Sequence, residues 1–331
     1  MTKKFPFENI LKINSRKDFF QSKRLEYNDF DYEILKQNLD IKQSIPYLFD
    51  LEKNAFLYAI NIDYNEAVKS PFHFQYLRDH VKEFGLIDFY KRYEYEYYDF
   101  NDPIFIFSSG RCGSTLLSKL ISSFDILSIS EPDFYNHLTL QYGNYRNESI
   151  LLHTQKVMQI MTADLLEPFQ PKNAVLKLSS NANFFPQLIL SVCRKKPRVI
   201  FMLRNFIDWV KSRKKAFNTD IQIDFQDYLR ALESFKFIKN NCEYCLVIYE
   251  ELLSKPNVHI KKISDFLKVR EFNQNQIDEI FLKDSQENTN LSRKNLNEIS
   301  YQSHDDDSLH KFWKNNRPLS LLKELELNDY L

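Results

Sequence analysis

The sequence predicts an α/β protein with a mostly parallel central sheet flanked by helices. Three observations carry this reading. From residue 103 onward, short apolar runs alternate with amphipathic stretches, the pattern of repeated βαβ units. Two of the chain's four glycines, Gly110 and Gly113, directly follow the first of these runs, in "DPIFIFSSGRCGSTLLSKL" (102–120). Arg111, Glu131, Lys177 and Arg204 all fall at or near the ends of predicted strands, along the edge where open parallel sheets bind ligands.

Taken in order, residues 1–100 mix helical patterning with aromatic segments, the densest being "FYKRYEYEYYDF" (89–100). They are expected to form an aromatic-rich helical extension that packs on the main domain or binds an acceptor. The α/β domain is expected to occupy 101–331. Its first strand is "IFIFSS" (104–109), followed by a helix from Ser114 whose Leu116, Leu117, Leu120 and Ile121 form an apolar face. Then come "ILSIS" (126–130), a helix near 150–166, "AVLKLSS" (174–180) and a helix near 183–194. "RVIFML" (198–203) leads into a helix near 206–217 that Asn205 can cap. A long helix near 224–240, "YCLVIY" (244–249) and a helix near 256–268 complete the pattern. The polar tail holds one distinctive segment, "SHDDDSLHKFWKNNRPLS" (303–320).

Bulk properties narrow the function. The 331 residues are 43% apolar and carry zero formal net charge, which speaks against a general nucleic-acid or membrane-surface binder. The N-terminus has no continuous apolar core after its lysines, so no secretory signal is read there. No window reaches the roughly 18 apolar residues of a membrane span, and a cytoplasmic location is expected. Cys242 and Cys245 form a C-x-x-C pair beside an apparent strand. Residues three apart on a strand face opposite sides, so they are read as structural and not as a metal or redox site.

Glycine admits positive φ and close approach to the backbone. A strand, a glycine-bearing turn and a helix beginning Ser114-Thr115 direct free N–H groups and the positive helix end at one place. This is an anion cradle suited to phosphate. It is not a Walker A loop, because the glycines are three apart and Ser114 stands where that motif has lysine.

A second anion site is read from "RVIFMLRNFIDWVKSRKKAF" (198–217). Arg204 ends the strand and Ser212 follows eight residues later, about two helical turns on. A guanidinium fork suits phosphate, and the hydroxyl adds a neutral donor. Segment 194–215 holds nine Lys or Arg against one Asp. A solvated helix face accounts for Lys211, Arg213, Lys214 and Lys215, but not for Arg204.

These stretches resemble sulfotransferases that use 3′-phosphoadenosine 5′-phosphosulfate (PAPS), over about residues 103–270. "FIFSSGRCGSTLL" is similar to the family's 5′-phosphosulfate loop, and "RVIFMLRNFIDWVKS" to its 3′-phosphate motif. "VIYEELLSKPNVHIKKISDFL" (247–267) is similar to its Y-E-D-L segment. The resemblance implies a P-loop-like three-layer fold. It also implies PAPS binding by Gly110, Arg111, Cys112, Gly113, Ser114, Thr115, Arg204 and Ser212, and no metal. Phe206 stands where the family usually has proline, and its late R-K-G motif is missing. The chain is therefore closer to the tyrosylprotein and carbohydrate type than to the steroid and phenol type.

Sulfuryl transfer needs cations near the leaving oxygen and a base for the acceptor proton. Arg111 and Lys177 are the candidate cations. Glu131 is the candidate base, at a distance from the loop similar to the base of the tyrosylprotein type, with His137 as runner-up and His153 read as an ordinary helix residue. Trp313, flanked by Lys311 and Lys314, is read as packing, with a cover over adenine or acceptor as the alternative. A non-catalytic PAPS-binding scaffold and a divergent P-loop kinase are the rival readings. The acceptor class (carbohydrate, peptide or small molecule) and the oligomeric state are open, and acid-flanked tyrosines as sulfate acceptors are a remote option.

Overall fold

The computed structural model describes residues 9–16, 30–35, 44–94, 99–269, 274–283, 285 and 306–328. The first strands are β1 (Asn9–Arg16), β2 (Phe30–Leu35), β3 (Ser44–Asp50) and β4 (Ala55–Ile60). Short helices α1 (Tyr64–Lys69) and α2 (His73–His80) precede β5 (Glu83–Asp88) and α3 (Phe89–Tyr93). The α/β pattern then runs β6 (Ile104–Ser108), α4 (Ser114–Ser122), β7 (Leu127–Ser130), α5 (Asp133–Tyr145) and α6 (Glu148–Leu166). It continues with β8 (Ala174–Lys177), a 3₁₀ turn (Ser180–Phe184), α7 (Pro186–Leu190), β9 (Arg198–Leu203), α8 (Phe206–Phe217) and α9 (Ile221–Asn241). Last come β10 (Glu243–Ile248), α10 (Tyr249–Ser254), α11 (Pro256–Leu267), α12 (Gln274–Leu282), α13 (Asp306–Asn316) and α14 (Leu319–Leu325).

The predicted sheet is present, five strands in the order β10-β9-β6-β8-β7. β9 runs parallel to both β10 and β6. β6 is buried at every position, the mark of a central strand covered on both faces. The chain divides into two compact units, one comprising 1–103, 129–176 and 187–194, the other 104–128, 177–186 and 195–331.

The first unit corrects the expected helical extension. Its N-terminal part is built on a five-stranded antiparallel sheet, β2-β1-β5-β4-β3, with short helices only among the described residues. The reason lies in "SIPYLFD" and "AFLYAI", whose largely apolar seven and six residues are almost wholly buried as strands. Runs that short are ambiguous between helix and strand by periodicity alone. Asp50 closes the hairpin, its Oδ1 accepting the N–H groups of Glu52 and Lys53 at 2.8 and 2.9 Å. Residues 95–98 of the tyrosine-rich segment lie outside the described residues. Buried inside this unit, Asp164 of α6 accepts from Tyr58 Oη at 2.6 Å and from Arg92 Nε at 3.0 Å. Helix α5 was not anticipated. Its sequence, "DFYNHLTLQYGNY", carries a glycine, a Thr and several aromatics, which dilute the helical signal.

The second unit follows the predicted order. Asn205 caps α8 by accepting from Ile207 N at 3.0 Å. Asp220 caps α9 through Gln222 N at 2.7 Å. Pro256 begins α11, where its missing N–H has no cost. In α4, Leu116, Leu117, Leu120 and Ile121 are all buried as expected, each contributing about 1.5–3 kcal/mol. The helix expected near 183–194 is instead a 3₁₀ turn followed by the five-residue α7, because Pro186 interrupts the run.

Candidate active site

Strand register sets the site. Ser108 pairs with Met202, and Leu203 with Ile248. The segments that leave β6, β9 and β10 therefore emerge side by side, bringing the turn at 109–113, Arg204 and Tyr249 to one rim. Leu178 N donates to Ile106 O at 2.9 Å, which aligns the end of β8, and with it Lys177, beside β6.

The turn holds its shape by backbone conformation. Gly110, Arg111 and Gly113 have φ of +74°, +48° and +84°. For Arg111 this is the sparsely populated left-handed region, which recurs where structure is held for function. Both glycines are required by neighbours within the protein. A Cβ on Gly110 would lie 3.2 Å from the Ser180 Cβ, and one on Gly113 would lie 2.4 Å from the Tyr249 ring. Gly113 starts α4 with no side-chain cap of its own, so the positive end of that helix suits an anion. Ser114 and Thr115 are buried in the first turn, and Ser108 Oγ donates to Ser114 Oγ at 3.4 Å. Cys112 is fully buried, its thiol held against Met202 O at 3.5 Å. Burial pushes this thiol up, and hydrogen bonds with Ser108, Ser109 and the Ser114 backbone, with the Lys177 charge least, pull it partly back. Lys177 itself is 2% exposed, not the rim lysine reaching into water that is the ordinary expectation.

Arg204 meets the turn. Its Nη1 donates to the Arg111 carbonyl at 3.4 Å. Its guanidinium lies 4.7 Å over the Tyr249 ring and its Nε stands 3.6 Å from a Glu250 carboxylate oxygen. Glu250 also accepts from Asn205 N at 3.2 Å, tying α10 to the start of α8. Ser212 is half-buried on α8, two turns after Arg204. Phe206, the departure from the family's proline, is fully buried and stacks on Trp313 at 4.3 Å. Trp313 is thus a packing residue, held also against Phe225 and Tyr228.

The basic excess of 194–215 is largely absorbed by acids. Arg194 pairs with Asp99, Arg198 with Glu243 and Lys211 with Asp306. Arg213 is not a solvated face residue, since it is only 11% exposed and bonds both Asp224 and Asp227 at 2.8 Å.

Glu131 belongs to the first unit, directly after β7, where it has φ of +57°. Next to it, Ser130 Oγ donates to Pro71 O at 2.6 Å. His137 lies on α5, 5% exposed, its Nε2 3.2 Å from Phe49 O. That contact uses the nitrogen as a donor and pins α5 to β3. His137 also lines a cavity of about 180 Å³ with Leu48, Asp50, Glu52 and Gln141. His153 stacks against Phe89 and Phe49. All four cysteines are free, with burial pushing Cys242 and Cys245 up to about 11. Among the described residues, no group of three or more His, Cys, Asp or Glu side chains could hold a metal ion. Among them, too, no helix is long and apolar enough to cross a membrane.

Trp209, Asn183, Tyr249 and Glu250 reach this rim without having been singled out individually. Three of them lie inside stretches already marked by resemblance, whereas nothing in the sequence marks Asn183.

Fold and site together define an α/β protein with a phosphate-loop-like turn after its central strand. The chain belongs to the sulfotransferase domain family, whose model matches residues 101–317. No curated protein matches it. Solved structures similar to it include a sulfotransferase domain from the curacin biosynthetic pathway, 17% identical, covering 68% of this chain and 98% of that one with a TM-score of 0.46. The sulfotransferase domain of a Synechococcus PCC 7002 olefin synthase is also 17% identical, covering 68% and 100% with a TM-score of 0.42. A mouse sulfotransferase, SULT7A1, complexed with PAP, is 14% identical, covering 69% and 84% with a TM-score of 0.36.

Proposed function

We propose that the protein transfers a sulfuryl group from PAPS to a hydroxyl or amine acceptor. The observation that carries this is the meeting of Arg204 with the Arg111 carbonyl, which makes the turn and the strand-end guanidinium one continuous edge. An adenine nucleotide with phosphates at both its 5′ and 3′ positions matches such an edge. The donor set fits: α4 has no side-chain cap, and Arg204 Nε makes no hydrogen bond, facing Glu250 at 3.6 Å.

PAPS supplies the sulfuryl group. The backbone of 110–113, Arg111, Ser114 and Thr115 hold its 5′ end, and Arg204 with Ser212 holds the 3′-phosphate. The acceptor oxygen or nitrogen forms its bond to sulfur as the bond from sulfur to the phosphate oxygen breaks. Adenosine 3′,5′-bisphosphate leaves with that electron pair, and Glu131 takes the acceptor proton. Arg111 and Lys177 offset the charge that grows on the leaving oxygen, the role in which fixed cations are most effective.

Glu131→Ala tests the reading. Binding of adenosine 3′,5′-bisphosphate should stay within about two-fold of the parent, while turnover of PAPS against a broad acceptor panel falls by about 100-fold or more. Unchanged turnover would remove Glu131 from the mechanism. A parent protein that binds the bisphosphate yet sulfates nothing would favour a scaffold.

A further inference from the structure

Three carbonyls of the anion turn accept hydrogen bonds from side chains on other elements. Asn183 Nδ2 donates to Ser108 O at 2.8 Å, Trp209 Nε1 to Gly110 O at 2.6 Å, and Arg204 Nη1 to Arg111 O at 3.4 Å. A peptide unit is planar and trans, so its C=O and the following N–H point in opposite directions. Fixing these carbonyls therefore aims the N–H groups of Ser109, Arg111 and Cys112 away from their pins. Successive amides aimed in this way form an anion-binding concavity.

Trp209 is fully buried and is itself held. The Arg213 guanidinium lies 4.9 Å over its ring. Arg213 is fixed by Asp224 and Asp227, and Thr219 Oγ1 donates to the same Asp224 oxygen at 2.7 Å. Asp227 in turn binds Arg230 at 2.6 Å, and Arg230 lies 3.8 Å over the Phe184 ring. Phe184 is the chain neighbour of Asn183. The path thus closes on itself, from Gly110 O through Trp209, Arg213, Asp227, Arg230 and Phe184 to Asn183 and Ser108 O.

We propose that this closed path braces the anion turn, with Trp209 and Asn183 as positioning residues that set its affinity for the 5′ phosphate group of the nucleotide. The proposal rests on the nucleotide reading above. It adds that 5′ affinity depends on residues that do not touch the ligand.

Trp209→Phe is the test, because phenylalanine removes the N–H but keeps a ring under Arg213. Calorimetry compares adenosine 3′,5′-bisphosphate, adenosine 5′-phosphate and adenosine 3′-phosphate. Loss of one neutral hydrogen bond that positions the turn should weaken the two 5′-phosphorylated ligands by about ten-fold. Adenosine 3′-phosphate should change less than two-fold. Asn183→Ala should give the same selective loss, and it serves if the tryptophan variant does not fold. Equal loss on all three ligands, or no loss on any, overturns the proposal and leaves the path a purely structural one. If the parent binds none of these nucleotides, the donor reading fails separately. Inorganic pyrophosphate then decides the brace, through the amide NMR shifts of residues 109–115. Shifts present in the parent and lost in the variant support it. Shifts absent from the parent, or unchanged in the variant, overturn it.

Discussion

Replacing Arg204 by alanine separates its two roles. For the fold, the side chain contributes an ion pair to Glu250 at 3.6 Å between groups 23% and 37% exposed, worth about 0–1 kcal/mol. It adds a cation–π contact to Tyr249 at 4.7 Å, of about 0.5–1 kcal/mol when partly exposed. The variant should therefore fold. For ligand binding, a charge-assisted contact to a 3′-phosphate is worth about 1.5–3 kcal/mol, or about ten- to 150-fold in affinity. The bond to the Arg111 carbonyl is long, at 3.4 Å, so the 5′ side should lose less than about 1 kcal/mol. Calorimetric titration of Arg204→Ala with adenosine 3′,5′-bisphosphate and with adenosine 5′-phosphate reads the difference directly. The bisphosphate should weaken at least five-fold more than the monophosphate. Equal weakening of the two would mean that Arg204 acts only through the turn and does not contact a 3′ group.

Two other outcomes follow from local geometry. Gly113→Ala places a Cβ 2.4 Å from the Tyr249 ring at φ of +84°, so thermal unfolding should show a loss of about 1–3 kcal/mol. Adding Tyr249→Ala should recover part of it, and an unchanged melting temperature for the single variant would contradict the packing. His73 is fully buried without a hydrogen-bond partner on either ring nitrogen, and desolvation lowers it to about 4. Below about pH 6.5 the unfolded chain takes up a proton that the folded chain refuses, so stability falls from pH 6.5 towards 4 by up to about 3 kcal/mol. His73→Phe should flatten that fall in urea titrations, and an equally steep profile would show that other groups cause it.

The placement of much of the candidate site was legible because its residues fall at strand ends and in the helices that follow them. The glycine pair, Arg111, Arg204 and the eight-residue step to Ser212 needed only strand ends and helix periodicity, and β9 and α8 fall where the pattern puts them. The brace was not legible. Arg213 reads as one cation in a basic run until α9 brings Asp224 and Asp227 against it, and nothing in the sequence marks the Trp209 N–H that meets Gly110 O. Phe206 looked like a defect in the motif and is an anchor for Trp313. The antiparallel sheet is hard to read because β3 and β4 are short, almost wholly buried runs without alternation. Its pairing is long-range, with β1 set beside β5. The packing of His137 against the Phe49 carbonyl of β3 is long-range and could not be read from the sequence.

The ionic knot of Arg92, Asp164 and Tyr58 has a consequence for anyone trimming the chain. The family match begins at residue 101, yet Tyr58 and Arg92 come from before that point and Asp164 from well after it. Deleting the leading hundred residues would remove both companions of a carboxylate that is 2% exposed in the full chain and open the α6 face they cover to water. The minimal expressible fragment therefore starts well upstream of the family boundary.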